Sequence, residues 1–332
     1  MRIFLLTKLL AIATVVAMGL SFLGRWHFML DNLSSFKVHL ALAFLLCSAV
    51  FIALRQFRWL GIAAVALAVS LVPIAPWFVP AGEGSAPEDG VALKLFASNV
   101  SPRLDDPVDL LNLLEKEQPD VFGLIEITPQ FLPGLAPATS QYPYRYEAPE
   151  EGFWGLALYS RLPLSDARIE FFGDGVPPAI VASVQAGDTE AELILIHPFP
   201  PMTGELAKVR NLQLERLAEY IGKSGRPTIV LGDLNTAMWS PYYQDFIDRS
   251  GLKNARQGSG VASTWPPNRL FGVPIDHVLH TEGITAHGFR VLPGIGSDHL
   301  PVAAQVAIIP VAAVADTRGD GDGSATAGES VR

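Results

Sequence analysis

The chain has 332 residues, a length that allows one large domain together with an additional segment. Its 33 Asp and Glu outnumber its 24 Lys and Arg, and the formal net charge of −9 disfavours a protein that grips long nucleic acid through a basic surface. The single cysteine, Cys47, excludes an internal disulfide bond and leaves the cellular compartment open.

Three long apolar stretches lie within residues 1–80, at roughly Phe4–Leu23, Val38–Leu54 and Trp59–Val79. Each approaches the roughly 17–25 residues that a helix needs to cross a bilayer. A cleaved signal peptide would explain the first stretch alone, and buried helices of a soluble protein are the other alternative. Because three nearly uncharged stretches follow one another, the sequence predicts a membrane anchor with three transmembrane helices in residues 1–80.

Basic residues indicate the orientation of this anchor. Arg2 and Lys8 lie at the N-terminus, and the tight turn between the second and third stretches contains Arg55 and Arg58. The longer loop between the first and second stretches contains Arg25 and Lys37. Cytoplasmic loops carry an excess of Lys and Arg, so the N-terminus and the tight turn are predicted to be cytoplasmic. The sequence thus predicts a multi-pass protein of the inner (plasma) membrane whose remaining domain is periplasmic, or extracytoplasmic.

The rest of the chain divides into three parts by composition. Residues 81–90 contain acidic residues without Lys or Arg and are predicted to be a linker. Residues 91–310 have the composition of a globular α/β domain that is large enough to bury a core. Residues 311–332 have few large apolar side chains and are predicted to be a disordered tail.

Within residues 91–310, short apolar runs alternate with helix signals. The predicted strands cover residues 92–97, 121–125, 155–159, 179–184, 193–196, 228–231, 276–279 and 302–308. Helices are predicted from Pro107 to Glu117, from the N-cap Thr203 to Ile221, and from Ser240 to Gly251. Hairpin-like stretches interrupt the alternation, which favours an α/β layered domain with mixed sheets over a regular doubly wound one.

Polar residues follow or begin several of these strands, where active-site loops of α/β proteins gather. The candidates are Asn99, Glu126, His197, Asp233, Asn235, Asp276, Asp298 and His299. Taken singly, Asn99 could be a turn residue and His197 a core histidine bonded to backbone. Glu126 follows a largely apolar run, so its carboxylate must be paired, solvated or bound to a metal. Asp276 needs a buried partner, and an imidazole such as His299 is suitable.

Several stretches in residues 91–310 resemble the endonuclease/exonuclease/phosphatase (DNase I-like) superfamily in its membrane-anchored bacterial type. They are, in chain order, Ser98-Asn99-Val100, Leu124-Ile125-Glu126, His197-Pro198-Phe199-Pro200, Gly232-Asp233-Leu234-Asn235, Ile275-Asp276-His277-Val278-Leu279 and Gly296-Ser297-Asp298-His299-Leu300-Pro301-Val302. Any one stretch is a weak signal. Their occurrence together, in this order and over nearly the whole region, is a specific signal.

The resemblance implies a four-layer α/β sandwich and metal-dependent hydrolysis of a phosphate ester by in-line attack of water. The metal, Mg²⁺ with Mn²⁺ as the alternative, would be bound by Glu126, Asn99 and Asp298. The catalytic residues would be His197, Asp233, Asn235, Asp276 and His299. Among these, Asp233 would position or deprotonate the water, Asn235 and His197 would bind the phosphate of the substrate, and Asp276 would orient His299. Ser101 stands where some nucleases carry an acid, which leaves the number of metals open.

The predicted partners are the lipid bilayer and a phosphate-ester substrate, small or lipid-borne. A DNase-like nuclease is the alternative within the same class, although the acidic charge disfavours nucleic acid. A catalytically inactive, membrane-tethered binding module is the alternative of another class. Outside the candidate set, Arg210 and Asn211 are expected on a solvated helix face, and Trp239 is expected to pack.

Overall fold

The computed structural model describes residues 2–80, 90–267 and 271–309. The predicted linker, apart from Gly90, and the predicted tail lie outside the described residues. The N-terminal segment, defined here as residues 2–80, contains the helices α1 (Arg2–Leu20), α2 (Phe28–Ser34), α3 (Lys37–Ala53) and α4 (Phe57–Leu71) and a 3-10 turn at Ala75–Phe78.

The prediction of three full-length transmembrane helices is wrong for the described residues. Only α1, with 19 residues, is by itself long and apolar enough to cross a bilayer. Helices α2 and α3 pass this test together, but they meet at a bend of 63°. Helix α4 has only 15 residues and ends shortly before Pro73, because a proline ring cannot continue a helix and restricts the residue before it.

Residues 90–309 contain the following strands and helices. The strands are β1 (Val91–Asn99), β2 (Val121–Ile125), β3 (Tyr144–Ala148), β4 (Leu156–Ser160), β5 (Leu164–Glu170), β6 (Ala179–Ala186), β7 (Thr189–Ile196), β8 (Thr228–Asp233), β9 (Lys253–Asn254), β10 (Asp276–His280), β11 (Ile284–Val291) and β12 (Val302–Ile308). The helices are α5 (Val108–Glu117), α6 (Ala136–Thr139) after a 3-10 turn at Leu132–Leu135, α7 (Gly204–Ser224) and α8 (Pro241–Ser250).

The strands form two six-stranded sheets, in the orders β11-β12-β1-β2-β4-β3 and β5-β6-β7-β8-β10-β9. Each sheet contains one parallel pair, β1 with β2 and β7 with β8, and the other pairs are antiparallel. The eight interior strands are all predicted from the sequence. The four missed strands, β3, β5, β9 and β11, are the four sheet edges, which are partly exposed and so lack a continuous apolar run.

The two sheets pack face to face, with helices on the outer faces. Apolar residues from both sheets fill the space between them, for example Leu95 and Leu193. Side chains alternate across a strand, so Phe96 points to the opposite face and packs with Leu110 of α5. Helices α7 and α8 cover the other sheet through residues such as Leu217. The predicted mixed-sheet α/β sandwich is confirmed.

Helix α7 differs from its prediction in which face is buried. It begins as predicted at Thr203, whose Oγ1 accepts a hydrogen bond from the Leu206 amide at 3.2 Å. Its buried residues are Ala207, Arg210, Gln213, Leu214, Leu217, Ala218 and Ile221. The sequence predicts an apolar face with Leu206, Val209, Leu212, Leu217 and Tyr220, but only Leu217 of these is buried, and the other four are half-buried. This rotation of the buried face brings Arg210 into the interior, so the expectation of a solvated Arg210 is wrong.

His277 is a buried histidine of β10 that sits beneath the edge where the sheets end. Its Nε2 lies 2.9 Å from the Thr236 carbonyl oxygen, and its Nδ1 lies 3.1 Å from the Asn254 side-chain amide. Burial, together with the nearby charge of Arg256, lowers the pKa of His277 to about 3. The imidazole is therefore neutral in the folded protein at physiological pH.

This neutral state makes stability depend on pH. Below the ordinary histidine pKa of about 6.5, the unfolded chain binds a proton that folded His277 rejects until about pH 3. The wild type should therefore lose stability relative to His277→Gln as the pH falls from about 6.5 to about 4. Thermal unfolding of the detergent-solubilised protein at several pH values measures this. His287→Gln, which changes an exposed histidine, is the control and should keep the wild-type pH dependence. A pH-independent difference for His277→Gln would contradict the prediction.

Candidate active site

The candidate residues meet at one edge of the sandwich because of strand direction. Parallel strands β1 and β2 end at this edge, and so do β7 and β8. Strands β10 and β12 run antiparallel to β8 and β1, so they begin where the others end. Asp276 is thereby paired directly with Asp233, and His299 precedes β12 close to the end of β1.

Asp233 is the centre of the site. Its carboxylate is buried and its Oδ2 lies 3.4 Å from Nε2 of His197 and 3.5 Å from Nε2 of His299. The side-chain amide of Asn99 is 3.4 Å from the same oxygen. Burial by itself would raise the pKa of Asp233, but the two imidazoles and a backbone hydrogen bond from Asn235 hold it below its usual range. Asp233 is therefore a buried, ionised carboxylate.

Both histidines next to Asp233 have raised pKa values. His299 Nδ1 lies 3.0 Å from Asp276 Oδ2, so the ring lies between two carboxylates. Burial opposes protonation, but Asp276 and Asp233 raise the pKa of His299 to about 10. For His197, burial is likewise outweighed by the hydrogen bond and charge of Asp233 and by Glu126, which raise its pKa. Its Nδ1 lies 3.1 Å from the carbonyl oxygen of Phe153, which fixes the ring orientation.

Glu126 lies beside this cluster at the end of β2. Its backbone adopts the left-handed conformation with φ of 63°, and its Oε1 accepts a hydrogen bond from the Asn99 amide at 2.9 Å. The Nε2 of His197 is 3.6 Å from the same oxygen. Burial raises the pKa of Glu126, and the charge of Asp233 adds to this effect. A cation bound here would stabilise the ionised carboxylate.

The Gly232–Asn235 turn depends on two left-handed residues. Gly232 has φ of 151°, and a Cβ at this position would collide with the carbonyl oxygen of Ile196 on the neighbouring strand. Asn235 has φ of 49°, and its amide donates to Asp233 Oδ1 at 2.9 Å. Its side-chain amide donates to the Pro198 carbonyl oxygen at 3.0 Å. The turn thus connects the end of β8 to the loop that follows His197.

The site opens into a cavity of about 610 Å³. Glu126, His197, Asp233, Asn235, Asp298 and His299 contribute polar groups to it. The remaining wall is largely apolar and contains Phe153, Trp154, Phe199, Met202, Trp265 and Ile275. Asn32, Ser35 and Phe36 of the N-terminal segment also line it. The cavity is therefore formed jointly by the sandwich and the N-terminal segment.

The structure brings seven of the eight predicted residues into one connected group, and Asp298 lies at its rim. Asp298 is exposed, and its Oδ2 lies 3.4 Å from Nε1 of Trp265. Asn99 lies inside the group. Its side-chain oxygen accepts a hydrogen bond from the Ser101 amide at 3.0 Å, while its amide nitrogen faces Glu126 and Asp233. In this orientation the Asn99 amide nitrogen aligns the Glu126 carboxylate.

Two groups of oxygen and nitrogen atoms can be weighed as a metal site. Ligand atoms of Asp233, Asp276 and His299 lie within 4.8 Å of one another. The carboxylate oxygens of Asp233 and Asp276 in this group are hard ligands, and the His299 ring adds a nitrogen. Glu126 and Asp298 supply hard carboxylate oxygens at the same cavity, and Mg²⁺ prefers one or two carboxylates while keeping several waters. The cavity therefore holds carboxylate oxygens that suit a hard divalent cation.

Sequence reasoning missed several residues that shape the site. Trp154 packs on His197 with ring centroids 5.4 Å apart, and Thr264 Oγ1 accepts the Asp276 amide at 3.1 Å. Arg210 lies behind Asn235 and donates to its carbonyl oxygen at 3.0 Å. A spacing of three or four residues relates Arg210 to the buried Ala207 and Leu214, and this spacing was the available signal.

Comparisons with known proteins agree with this architecture. The protein-family model described as "Endonuclease/Exonuclease/phosphatase family" matches residues 95–299, more than half of the chain. No curated protein sequence shows a significant match.

Similar solved structures include D. rerio TDP2 complexed with single strand DNA product, with 17% identity, a TM-score of 0.55 and coverage of 65% of this chain and 98% of that chain. An endonuclease/exonuclease/phosphatase from Beutenbergia cavernae has 19% identity, a TM-score of 0.53 and coverage of 66% of this chain and 72% of that chain. The 3' phosphatase NExo from Neisseria, bound to product DNA hairpin, has 18% identity, a TM-score of 0.51 and coverage of 64% of this chain and 98% of that chain. At these identities the similarity shows a shared fold.

The position of the proton on His299 can be tested directly. Nuclear magnetic resonance of ¹⁵N-labelled histidine, assigned with His299→Gln in metal-free protein, should show a protonated His299 ring at pH 8. Asp276→Asn removes one of the two carboxylates and should let the ring lose its proton between about pH 6 and pH 9. Asp245→Asn, which removes a distant exposed pair with Arg25, should leave the His299 titration unchanged. A neutral His299 in the wild type at pH 8 would contradict the assignment.

Proposed function

The chain belongs to the endonuclease/exonuclease/phosphatase family of metal-dependent phosphoester hydrolases, and from this membership we propose that it is a membrane-anchored phosphoesterase. It hydrolyses a phosphodiester or phosphomonoester of a small or lipid-borne substrate by in-line attack of water. The observation that carries this proposal is the ionised Asp233 held between His197 and His299, beside Glu126, at the bottom of an open cavity.

The charges of these residues suit phosphate-ester hydrolysis. Asp233 stays ionised and accepts a hydrogen bond from the attacking water, which it orients and deprotonates as the bond to phosphorus forms. His299 presents positive charge, His197 an imidazole ring and Asn235 an amide to the phosphate oxygens on which negative charge develops. Asp276 keeps His299 protonated and correctly oriented. The groups are held in place before the substrate arrives, so little reorganisation is required.

A divalent cation held by Glu126 and Asp298, with Asn99 aligning Glu126, would polarise the phosphate and offset its charge. We propose Mg²⁺, because carboxylate oxygens with open positions for water match its preference, and Mn²⁺ as the alternative. His197 and Asn99 restrict the movement of Glu126 and so keep this carboxylate directed toward the cavity.

The cavity wall favours a substrate with an apolar part. Phe153, Trp265 and Met202 all line the cavity and are exposed, Met202 by 75%. Apolar groups of this size gain free energy when a ligand removes them from water. Together with the net charge of −9, this wall supports a small or lipid-borne phosphate ester over a long nucleic acid. The DNA bound in the D. rerio and Neisseria structures keeps a nuclease as the second candidate.

The N-terminal segment has the surface of a membrane anchor. Large apolar side chains of α1, α3 and α4 are exposed, among them Leu6, Leu46 and Val65. The polar Thr14 and Ser48 are buried, and each bonds a carbonyl four residues earlier in its own helix. A soluble protein rarely exposes so large an apolar surface, whereas a bilayer would cover it.

The distribution of basic residues supports an outward-facing catalytic domain. Lys8 lies over the ring of Trp59 with 4.6 Å between Nζ and the ring centroid, so α1 and α4 begin at the same end of the segment. Arg2, Arg55 and Arg58 belong to this end as well. The opposite end contacts the sandwich, where Trp239 Nε1 donates to the Pro73 carbonyl oxygen at 2.8 Å. By the positive-inside rule, the basic end is cytoplasmic and the active site faces the periplasm or cell exterior.

Hydrolysis by the full-length protein in detergent tests the enzymatic proposal. With Mg²⁺ the wild type should hydrolyse bis(p-nitrophenyl) phosphate and phospholipid in vesicles, and EDTA should abolish both activities. His299→Ala removes a positive charge from the phosphate site and should lower kcat by about 10²–10³-fold. His287→Ala changes an exposed histidine of the edge strand β11 and should leave the rates unchanged.

The outcomes separate the alternatives. Equal rates for the wild type and His299→Ala, with Mg²⁺ or EDTA, would reject catalysis and favour an inactive binding module. Efficient cleavage of plasmid DNA without hydrolysis of phospholipid or the small diester would favour the nuclease.

Membrane attachment and orientation have a separate test. Because α1 is apolar and long enough to cross a bilayer, the protein should stay in the membrane pellet after carbonate extraction. Alkaline phosphatase fused to the C-terminus should be active, whereas green fluorescent protein at the same position should remain dark. If the green fluorescent protein fusion were fluorescent and the phosphatase fusion inactive, the catalytic domain would face the cytoplasm. Release of the protein by carbonate would exclude a spanning helix.

A further inference from the structure

A charged residue of the N-terminal segment reaches the rear of the active site. Asp31, in α2, is the only acidic residue in residues 2–80, and it is 2% exposed. Its Oδ2 accepts from Nη2 of Arg210 at 2.5 Å, and its Oδ1 accepts from the Ser240 hydroxyl at 2.5 Å. Both partners belong to the sandwich, so this contact joins the two parts of the molecule through a buried ion pair.

Arg210 transmits this contact to a candidate catalytic residue. Its side chain is also 1% exposed, and Nη1 donates to the backbone carbonyl oxygen of Asn235 at 3.0 Å. With Asp31 removed, the guanidinium would be a buried charge without its counterion, which is strongly unfavourable. The Asn235 backbone has φ of 49°, a conformation that a non-glycine residue keeps only when neighbouring contacts hold it. Asp31, through Arg210, supplies one such contact.

A second route leads from the same helix to the same residue. Asn32, next to Asp31, donates from its side-chain amide to the Pro201 carbonyl oxygen at 2.9 Å. Pro201 belongs to the loop after His197, and the Pro198 carbonyl oxygen of that loop accepts the Asn235 side-chain amide at 3.0 Å. Helix α2 therefore fixes the backbone of Asn235 through Arg210 and its side chain through the loop.

We infer that helix α2 of the N-terminal segment is part of the active site, and that Asp31 and Asn32 are positioning residues for Asn235. The inference rests on the proposed role of Asn235 as a ligand of the substrate phosphate. It predicts that the geometry of the phosphate site depends on the docking of the N-terminal segment. An anchor that merely tethered the sandwich to the bilayer would need neither contact.

The test uses the full-length protein in detergent with bis(p-nitrophenyl) phosphate and Mg²⁺. Asp31→Asn keeps the shape of the side chain and removes the charge that holds Arg210. It should lower kcat by roughly tenfold to a hundredfold, because small displacements of a catalytic group have effects of this size. KM should change by less than about twofold, since the lost contact is strongest in the transition state. Arg25→Gln is the matched control, because it breaks the exposed Arg25–Asp245 pair between the same two parts of the molecule and should leave kcat unchanged.

A double-mutant cycle distinguishes positioning from general loosening. In an Asn235→Ala background, Asp31→Asn should lower kcat by less than about twofold, because the group it positions is gone. Asn32→Ala should behave in the same way through the second route, and it serves as the test if Asp31→Asn does not fold. An unchanged kcat in the single variants, or an equal loss of kcat in both backgrounds, would overturn the inference.

Hydrogen–deuterium exchange provides a measurement that needs no turnover. In Asp31→Asn, exchange should increase in peptides covering residues 197–202 and 233–240, whereas Arg25→Gln should match the wild type. If the wild type hydrolysed none of the phosphate esters, the proposed function would fail while this measurement still decided the positioning. Unchanged exchange in these peptides would show that Asp31 does not hold Asn235, whatever the activity.

Discussion

The buried negative charge of Asp233 is the constraint on which the site depends. A carboxylate without solvent is stable as an ion only when positive groups and hydrogen-bond donors surround it. His197 comes from the same sheet as Asp233, whereas His299 and Asn99 come from the other sheet. The compensation therefore requires the two sheets to keep a fixed alignment, which the apolar layer between them provides. The packing of the core therefore keeps the compensating groups in place around the Asp233 carboxylate.

The N-terminal segment adds a second constraint, because it closes one side of the cavity and approaches Asn235 from behind. A purely hydrophobic anchor would pack on lipid and leave the catalytic sandwich independent. Here a buried ion pair and two hydrogen bonds from side chains to backbone carbonyl groups fix the relative position of the two parts. The cavity combines a largely apolar wall with the polar groups of the site, so a phosphate with an apolar substituent matches both surfaces.

Much of the sandwich could be predicted from the sequence. Interior strands are buried on both faces, so each appears in the sequence as an apolar run that can be recognised without knowledge of distant residues. The edge strands β3, β5, β9 and β11 are half-exposed and were not predicted, because their polar residues resemble loops. Arg210 was misplaced for a related reason: a charged side chain on an amphipathic helix is assigned to solvent unless its distant partner is known. That partner, Asp31, lies 179 residues away in the chain.

The sequence by itself determined which polar side chains stand at strand ends, because apolar runs and their polar boundaries are local properties. It therefore indicated the family and the candidate residues from Asn99 to His299. Only the tertiary structure decided which atoms meet: the two imidazoles around Asp233, the amide of Asn99 turned toward Glu126, and Asp298 at the rim. The structure also shows one long helix, a bent pair and a short helix where the sequence predicted three spans. These features depend on contacts between residues far apart in the chain, and no local pattern specifies such contacts.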